Sequence, residues 1–428
     1  MLEEALKRSL IFRSLTLGAI AYRVTVLTAL KIGAVFLVAT QPAFAEKRYG
    51  PGVTDIEIKI GQTTPYSGPA SSFGATSRAI VNYFKMINAS GGVNGRKINL
   101  ISLDDAYSPP KTMEQTRKLV EGEEVLAIAG TLGTPGNMTI TKYLNSRKVP
   151  QLLGMSGSPK LNDPVNLPWT TTFYASQTIE GEIYAQYLLK TKPGAKIAVL
   201  YQNDDYGKGY LTAFKVGLGD KASMIVAEAT YDLTYPTIDS QLVTLAASGA
   251  DAIFYASSPK FTAQAIRKAH EVGWKPLQIV ITASSQIDAT LKPAGLEAAT
   301  GLITSLWQKV PNDPVWADDK GMIEFQAFMK QWAPGEVGDI FLAATGYSWA
   351  ETMVEILKKC GDDLTRENLL KQATNLKGFH PSLFIDGIAL NTTPTDRVAW
   401  RQARMARFNG ISWEPFGEIV TIEDAKRN

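Results

Sequence analysis

Short apolar runs alternate with amphipathic stretches along most of the chain. Ile56–Gly61 alternates and is β-branched, which reads as a strand; Ile80, Tyr83, Phe84 and Ile87 then recur at helical spacing, and Ser90-Gly91-Gly92 ends that helix. Asn94-Gly95 signals a turn into a second strand, Lys97–Leu103, which stops at Asp104-Asp105; Pro109 and Pro110 precede a helix over Lys111–Glu121. The continuous apolar run Val125–Ala129 and the run Val149–Leu153 flank a third helical pattern, and a polar loop, Gly154–Pro159, follows. A second series opens near Gln177. Its helices are predicted at Gln177–Lys190, Gly207–Gly217, Pro236–Ala247 and Phe261–Val272, and its strands at Lys196–Tyr201, Met224–Ala229, Ala252–Ala256 and Gln278–Thr282. Strands apolar on both faces, alternating with helices, specify parallel sheets covered on both sides, here in two α/β lobes. From Gly301 the pattern changes to a crossing strand, Leu302–Leu306, and two amphipathic helices, Gly321–Trp332 and Ile340–Lys359. A hairpin signal at Asp386-Gly387 and a late strand, Met405–Phe408, complete the reading.

One stretch stands out for chemistry. Gly130–Asn137, Gly-Thr-Leu-Gly-Thr-Pro-Gly-Asn, joins an apolar strand to a helix. Thr134 suits an N-cap and Pro135 the first helical position, where its missing N–H is not needed. Such a turn presents free N–H groups and the positive end of a helix dipole to a carboxylate, and its glycines allow close approach. The competing reading is a tight strand-to-helix turn with no ligand.

With 428 residues, 45% of them hydrophobic, the chain is long enough for two domains with their own cores. The first 45 residues differ: scattered Lys and Arg, an apolar run Ile32–Ala39, and Gln41-Pro42-Ala43-Phe44-Ala45, which ends in an Ala-x-Ala pattern. This is the form of a cleavable secretory signal peptide, although longer than such peptides usually are. A membrane anchor is the alternative, but Ile32–Ala39 is far shorter than the roughly 20 apolar residues that span a bilayer. The segment also holds five Lys/Arg and two Asp/Glu, so its removal leaves 39 of each sign and no net charge. No basic surface then remains to neutralise a phosphate backbone, which argues against nucleic acid as a partner. Cys360 is the one cysteine, so an internal disulfide is impossible; it is expected to pack at a helix end.

The usual catalytic constellations are missing from the sequence. Its two histidines, His270 and His380, with one cysteine make no zinc site, and both histidines are expected in structural or surface roles. Gly346-Tyr347-Ser348-Trp349-Ala350 breaks the nucleophile-elbow pattern at its last position, and Gly130–Asn137 lacks the Lys-Ser/Thr ending of a P-loop and the spacing of a dinucleotide fingerprint. Asp104-Asp105 and Asp204-Asp205 are adjacent pairs at strand ends, positions that more often cap helices than share a proton. No enzyme activity, metal or cofactor is expected.

Over about residues 53 to 420 the chain resembles the type I periplasmic binding proteins of the leucine/isoleucine/valine class, the substrate-binding components of ABC importers. The resemblance rests on Ile58-Lys59-Ile60-Gly61 with Ser67-Gly68-Pro69, on Ile87–Lys97, on Asp104-Asp105, on Gly130–Thr134, and on Asn203–Gly209. It implies two Rossmann-like lobes with parallel-rich sheets joined by a three-strand hinge, with crossovers near Thr172, Ile303 and Gly378. The expected division is a signal peptide, 1–45, a first lobe of 53–172 plus 303–378, and a second of 173–302 plus 379–424. By the same resemblance Thr134 holds a ligand carboxylate, Ser156 and Ser158 the head group, Tyr206 closes from the second lobe, and Phe73 lies near the side-chain pocket. The family's ammonium-binding carboxylate has no counterpart in the loop Ala283-Ser284-Ser285-Gln286, and a family aromatic is replaced by Ser258. Burying an ammonium without a partner is costly. The expected ligand is therefore a small carboxylate-bearing solute without an α-amine, aromatic acids among the candidates, with Ser258, Ser284 and Ser285 around its body. If the loop alignment slips, Asp288 supplies the missing charge and the ligand is an amino acid of the Leu/Ile/Val type. A membrane permease is the expected partner and a monomer the expected state. A sensory ligand-binding module on the same scaffold and a hydrolase with an unrecognised site are the other readings.

Overall fold

Five parallel strands form the first sheet: β1 (Glu57–Thr64), β2 (Lys97–Asp104), β3 (Ala127–Ala129), β4 (Gln151–Gly154) and β5 (Thr170–Thr172), in the order β2-β1-β3-β4-β5. The computed structural model describes residues 47–335 and 339–422, so the expected signal peptide lies outside the described residues. Ile58, Ile60, Ala127 and Leu152 are fully buried, as strands covered on both faces require. Helices α1 (Gly74–Ala89), α2 (Pro109–Arg117) and α3 (Thr134–Ser146) make the crossovers.

The second sheet has seven strands. Its parallel part is β6 (Ile197–Gln202), β7 (Ile225–Tyr231), β8 (Ala252–Ala256), β9 (Leu277–Val280) and β10 (Ile303–Leu306); β11 (Gln402–Phe408) and β12 (Trp413–Thr421) close it as an antiparallel pair. The order is β12-β11-β10-β9-β8-β6-β7. Helices α4 (Gln177–Thr191), α5 (Asp205–Leu218), α6 (Asp239–Ala247) and α7 (Pro259–Glu271) cover it. In each sheet the first strand has its successors on opposite sides, β2 and β3 about β1, β7 and β8 about β6. Loops leaving the carboxyl ends diverge at such a switch point and open a crevice.

Three helices follow β10: α8 (Lys320–Trp332), α9 (Ile340–Cys360) and α10 (Arg366–Ala373). α9 packs on α1, with Tyr83 and Tyr347 edge to face at 4.8 Å. Gly346 permits this approach, since a Cβ there would lie 2.1 Å from the Thr76 carbonyl oxygen. Cys360 is the buried last residue of α9, at the helix end. On the same helix burial, with Glu324 nearby, pushes the Glu351 carboxyl up to about 7; it accepts a hydrogen bond from the Ser382 N–H at 3.0 Å. A carboxyl raised on folding adds stability that is complete below its unfolded value and lost as pH rises through the folded one. Glu351→Gln should therefore stabilise the protein by roughly 2 kcal/mol at about pH 8 and much less at about pH 5, which urea denaturation at the two pH values measures.

The chain passes between lobes three times, after β5 through Phe173–Ser176, after β10 at Trp307, and through Arg397–Arg401 into β11. β10, which begins at Ile303, belongs to the second sheet. The third passage lies well past Gly378. Residues around Phe379–Leu390 stay with the first lobe because they pair with each other and with the second passage, Ile385 N–H to Trp307 O at 3.0 Å and Lys309 N–H to Leu383 O at 2.8 Å. Asp386-Gly387 is accordingly a turn and not the tip of a strand hairpin. The rings of Trp307 and Trp400 pack tilted with centroids 5.1 Å apart, and Trp400 Nε1 donates to the Phe173 carbonyl, so all three passages meet in one aromatic cluster. Buried Arg397 donates from Nη1 to the carbonyls of Leu167, Pro168 and Thr170 at 3.1, 3.0 and 2.8 Å. Arg397→Ala should cost about 2 kcal/mol in denaturant unfolding, because a charged donor is lost from carbonyls that stay buried.

Candidate functional site

The crevices of the two sheets face each other across a cleft lined by residues of both lobes. One end is built by the loop after β3. Gly133, with φ 102°, stands at the N-cap of α3, so Thr134 is already the first helical residue and not the cap; no side chain caps this helix. Glycine's left-handed freedom starts the helix one residue early and turns the Thr134 hydroxyl toward Ser156, with Oγ1 and Oγ 2.8 Å apart. Both hydroxyls are buried, and Ser156 Oγ also accepts the Ser158 N–H at 3.2 Å. The result is a pair of hydroxyls beside an uncapped helix N-terminus.

Phe73, Thr134, Ser156, Tyr206 and Ser258 all line this cleft, the first three from one lobe and the last two from the other. Ser258 Oγ lies 3.1 Å from the Tyr231 hydroxyl. The Tyr206 hydroxyl is buried without a hydrogen-bond partner among the described residues, and burial pushes it well above the usual tyrosine range. Its ring stands edge-on to Tyr210 at 5.4 Å.

Ser158 and Ser284 do not line the cleft. Ser158 precedes a short turn, Pro159–Leu161, and meets the site only through its N–H. Thr282–Ser284 winds into a 3-10 turn that directs the Ser284 hydroxyl to the Ser257 carbonyl and that of Ser285 to the Thr282 carbonyl, leaving Thr282, Ala283 and Gln286 at the surface of the cleft. Asp288 is ion-paired with Lys292 in a different cavity, beside Val310–Pro314.

Sequence reasoning missed several lining residues. Tyr174, Trp307 and Trp400 come from the three passages between lobes, so a ligand would touch the hinge itself. Tyr174 and Trp307 had a signal in their nearness to the expected crossovers at Thr172 and Ile303; Trp400, far past Gly378, had none. Tyr107 leans over Gly133, where a Cβ would lie 2.5 Å from its ring. Ala106 and Tyr107 both hold left-handed backbone, φ 51° and 60°, fixed by the carboxylates of Asp104 and Asp105 accepting their N–H groups at 3.0 and 2.9 Å. Hydrogen bonds from Ser67 and Lys111 overcome the burial of Asp104 and hold its carboxyl well below the usual range. Asp204 likewise caps α5, accepting from the Tyr206 and Gly207 N–H groups. These pairs are scaffolding.

Glu180, on α4, also faces the cleft. It is the one charged side chain among the residues that line it. Apart from the lining, Lys160 meets Asp205 at 3.4 Å and Asp339 Oδ2 accepts the Ala289 N–H at 3.0 Å, each joining opposite lobes. Burial pushes the Asp339 carboxyl up to about 6. Among the described residues no group of His, Cys, Asp or Glu is arranged to hold a metal ion.

A family of periplasmic binding proteins matches residues 57–411. The chain belongs to that family. Matches to the first curated relatives span 58 to 60% of those proteins' own length, less than two thirds. A Leu/Ile/Val-binding protein homologue of Brucella abortus is 25% identical over 389 residues, covering 87% of this chain and 93% of the relative. Among solved structures, a branched-chain amino acid ABC transporter protein of Thermus thermophilus with bound valine aligns with a TM-score of 0.78 and 17% identity, covering 86% of this chain and 98% of its own. A fatty acid ABC transporter substrate-binding protein of Thermomonospora curvata aligns at 0.73 with 23% identity, covering 89% and 97%. These likenesses establish the two-lobed fold that the sequence led us to expect.

Proposed function

We propose that this chain is the exported, non-catalytic solute-binding component of an ABC importer, working in the periplasm and delivering a small carboxylate-bearing solute to a membrane permease. The observation that carries the reading is the cleft itself. An uncapped helix N-terminus with the Thr134–Ser156 hydroxyl pair faces, from the opposite lobe, the buried and unpartnered Tyr206 hydroxyl. A carboxylate at the first would be held by neutral donors, without lysine or arginine. Ligand contacts to both lobes would favour the closed arrangement over an open one, and the lining by Trp307 and Trp400 ties occupancy to the hinge. Of two proteins on this fold, one has bound valine and the other is named for fatty acids, and both of those ligands carry a carboxylate. A thermal-shift screen of the purified protein against aliphatic and aromatic carboxylates and amino acids tests the reading. Ligand at about 100 times its dissociation constant should add about 2.7 kcal/mol of stability. Stabilisation by neutral sugars and by no carboxylate would refute it.

A further inference from the structure

Glu180 is held by more than its own helix. Its Oε1 accepts from the Tyr184 hydroxyl and the Thr282 N–H, both at 2.6 Å, and Oε2 from the Tyr210 hydroxyl at 2.7 Å. These donors come from α4, from the loop after β9 and from α5, so the carboxylate is fixed in place by three elements of the second lobe. A carboxylate offers about four acceptor positions, and three are filled. Glu180 lines the cleft and is not fully buried, and Oε2 holds one hydrogen bond against two on Oε1. Tyr210, its partner there, also carries the edge-on Tyr206 ring with the unpartnered hydroxyl.

We infer that Glu180 is the specificity determinant of the second lobe, accepting a hydrogen bond from a protonated amine or a hydroxyl on the bound acid. This rests on the carboxylate-binding reading and adds to it the other end of the ligand. The physical reason is asymmetric. Closing the lobes over an acid that has no donor desolvates an ionised carboxylate and leaves one of its acceptor positions empty, whereas an amine or hydroxyl fills it with a charge-assisted bond. A site built this way rejects the analogue that lacks the donor more strongly than it rewards extra apolar bulk. The loop after β9 offers the cleft no carboxylate, and the first turn of α4 brings one in.

Two matched sets of probes test the inference on the full protein: leucine, 2-hydroxy-4-methylpentanoate and 4-methylpentanoate; phenylalanine, 3-phenyllactate and 3-phenylpropanoate. In the set that fits, the amine-bearing or hydroxyl-bearing acid should bind at least about tenfold more tightly than the unsubstituted acid. The two donor-bearing members distinguish a cationic from a neutral donor. Glu180→Gln, which keeps an acceptor for its tyrosines, should collapse that ratio, and Glu180→Asp, which withdraws the charge from the cleft, should shrink it. Tyr255→Phe, which removes a second-lobe hydroxyl that donates to Gln278 and lines no part of the cleft, should leave the ratio unchanged. Equal binding of the unsubstituted acid to the unaltered protein overturns the inference and leaves the carboxylate site standing, as does a ratio that survives in a folded Glu180 variant. Binding of no member of either set at millimolar concentration counts against the carboxylate reading itself, and the inference falls with it.

Discussion

Trp349→Ala should destabilise the protein by about 3 to 5 kcal/mol, the range for a fully buried large aromatic, read as a shift in the denaturant midpoint at constant slope. Trp349 is completely buried on α9, and its Nε1 donates to the Leu153 carbonyl at 2.8 Å, a bond between a helix that follows the second passage and a strand that precedes the first. The indole also lies under the binding loop. Gly130, at φ 67°, has its Cα so close to the ring that a Cβ would sit 2.8 Å from Cζ2. Removing the indole opens a cavity beneath Gly130 and frees a buried carbonyl. Ligand affinity should therefore fall with stability, because the backbone that presents Thr134 loses its support. A Trp349→Ala protein as stable as its parent would mean that this helix contributes little to the first lobe's core.

Thr134→Val should reduce affinity for the bound acid about 10- to 100-fold while the fold survives. The replacement keeps the shape and removes one hydroxyl, and a hydrogen bond to a charged group is worth about 1.5–3 kcal/mol against 1.4 kcal/mol per tenfold in affinity. Ser156 then loses its 2.8 Å partner as well. Thr134 starts α3 and does not cap it, so helix stability should change little. Calorimetric titration of the two proteins with the same acid checks this; equal affinities would take the carboxylate away from Thr134.

Much of the architecture was legible because it depends on periodicity. Ala252–Ala256 is a strand at both its predicted ends, and the helices at Gly321–Trp332 and Ile340–Lys359 differ from the observed α8 and α9 by one residue at an end. What failed depends on pairing across distance. β12 was missed because Trp413–Thr421 carries a proline, a glycine and two glutamates and becomes a strand only against β11. Gly378 was a poor crossover because Phe379–Leu390 folds back on the second passage, which no local pattern records. In the site, the Gly130–Thr134 turn was visible from its composition, but the direction of each hydroxyl was not. A one-residue change in where α3 begins moved Thr134 from cap to wall, and a 3-10 turn hid Ser284. Glu180 was invisible to a search of loops because it stands on a helix, four residues before the Tyr184 with which it pairs.

Binding of one acid molecule in the cleft between the lobes is tested by isothermal titration of that acid into the unaltered protein and into Ala283→Trp. Ala283 lines the cleft from the second lobe, and an indole there would occupy the ligand's space without entering the core. The expected result is saturable binding at one site per chain in the parent and loss of that binding in the folded variant. Unchanged stoichiometry and affinity in Ala283→Trp would place the acid elsewhere on the molecule and contradict the account.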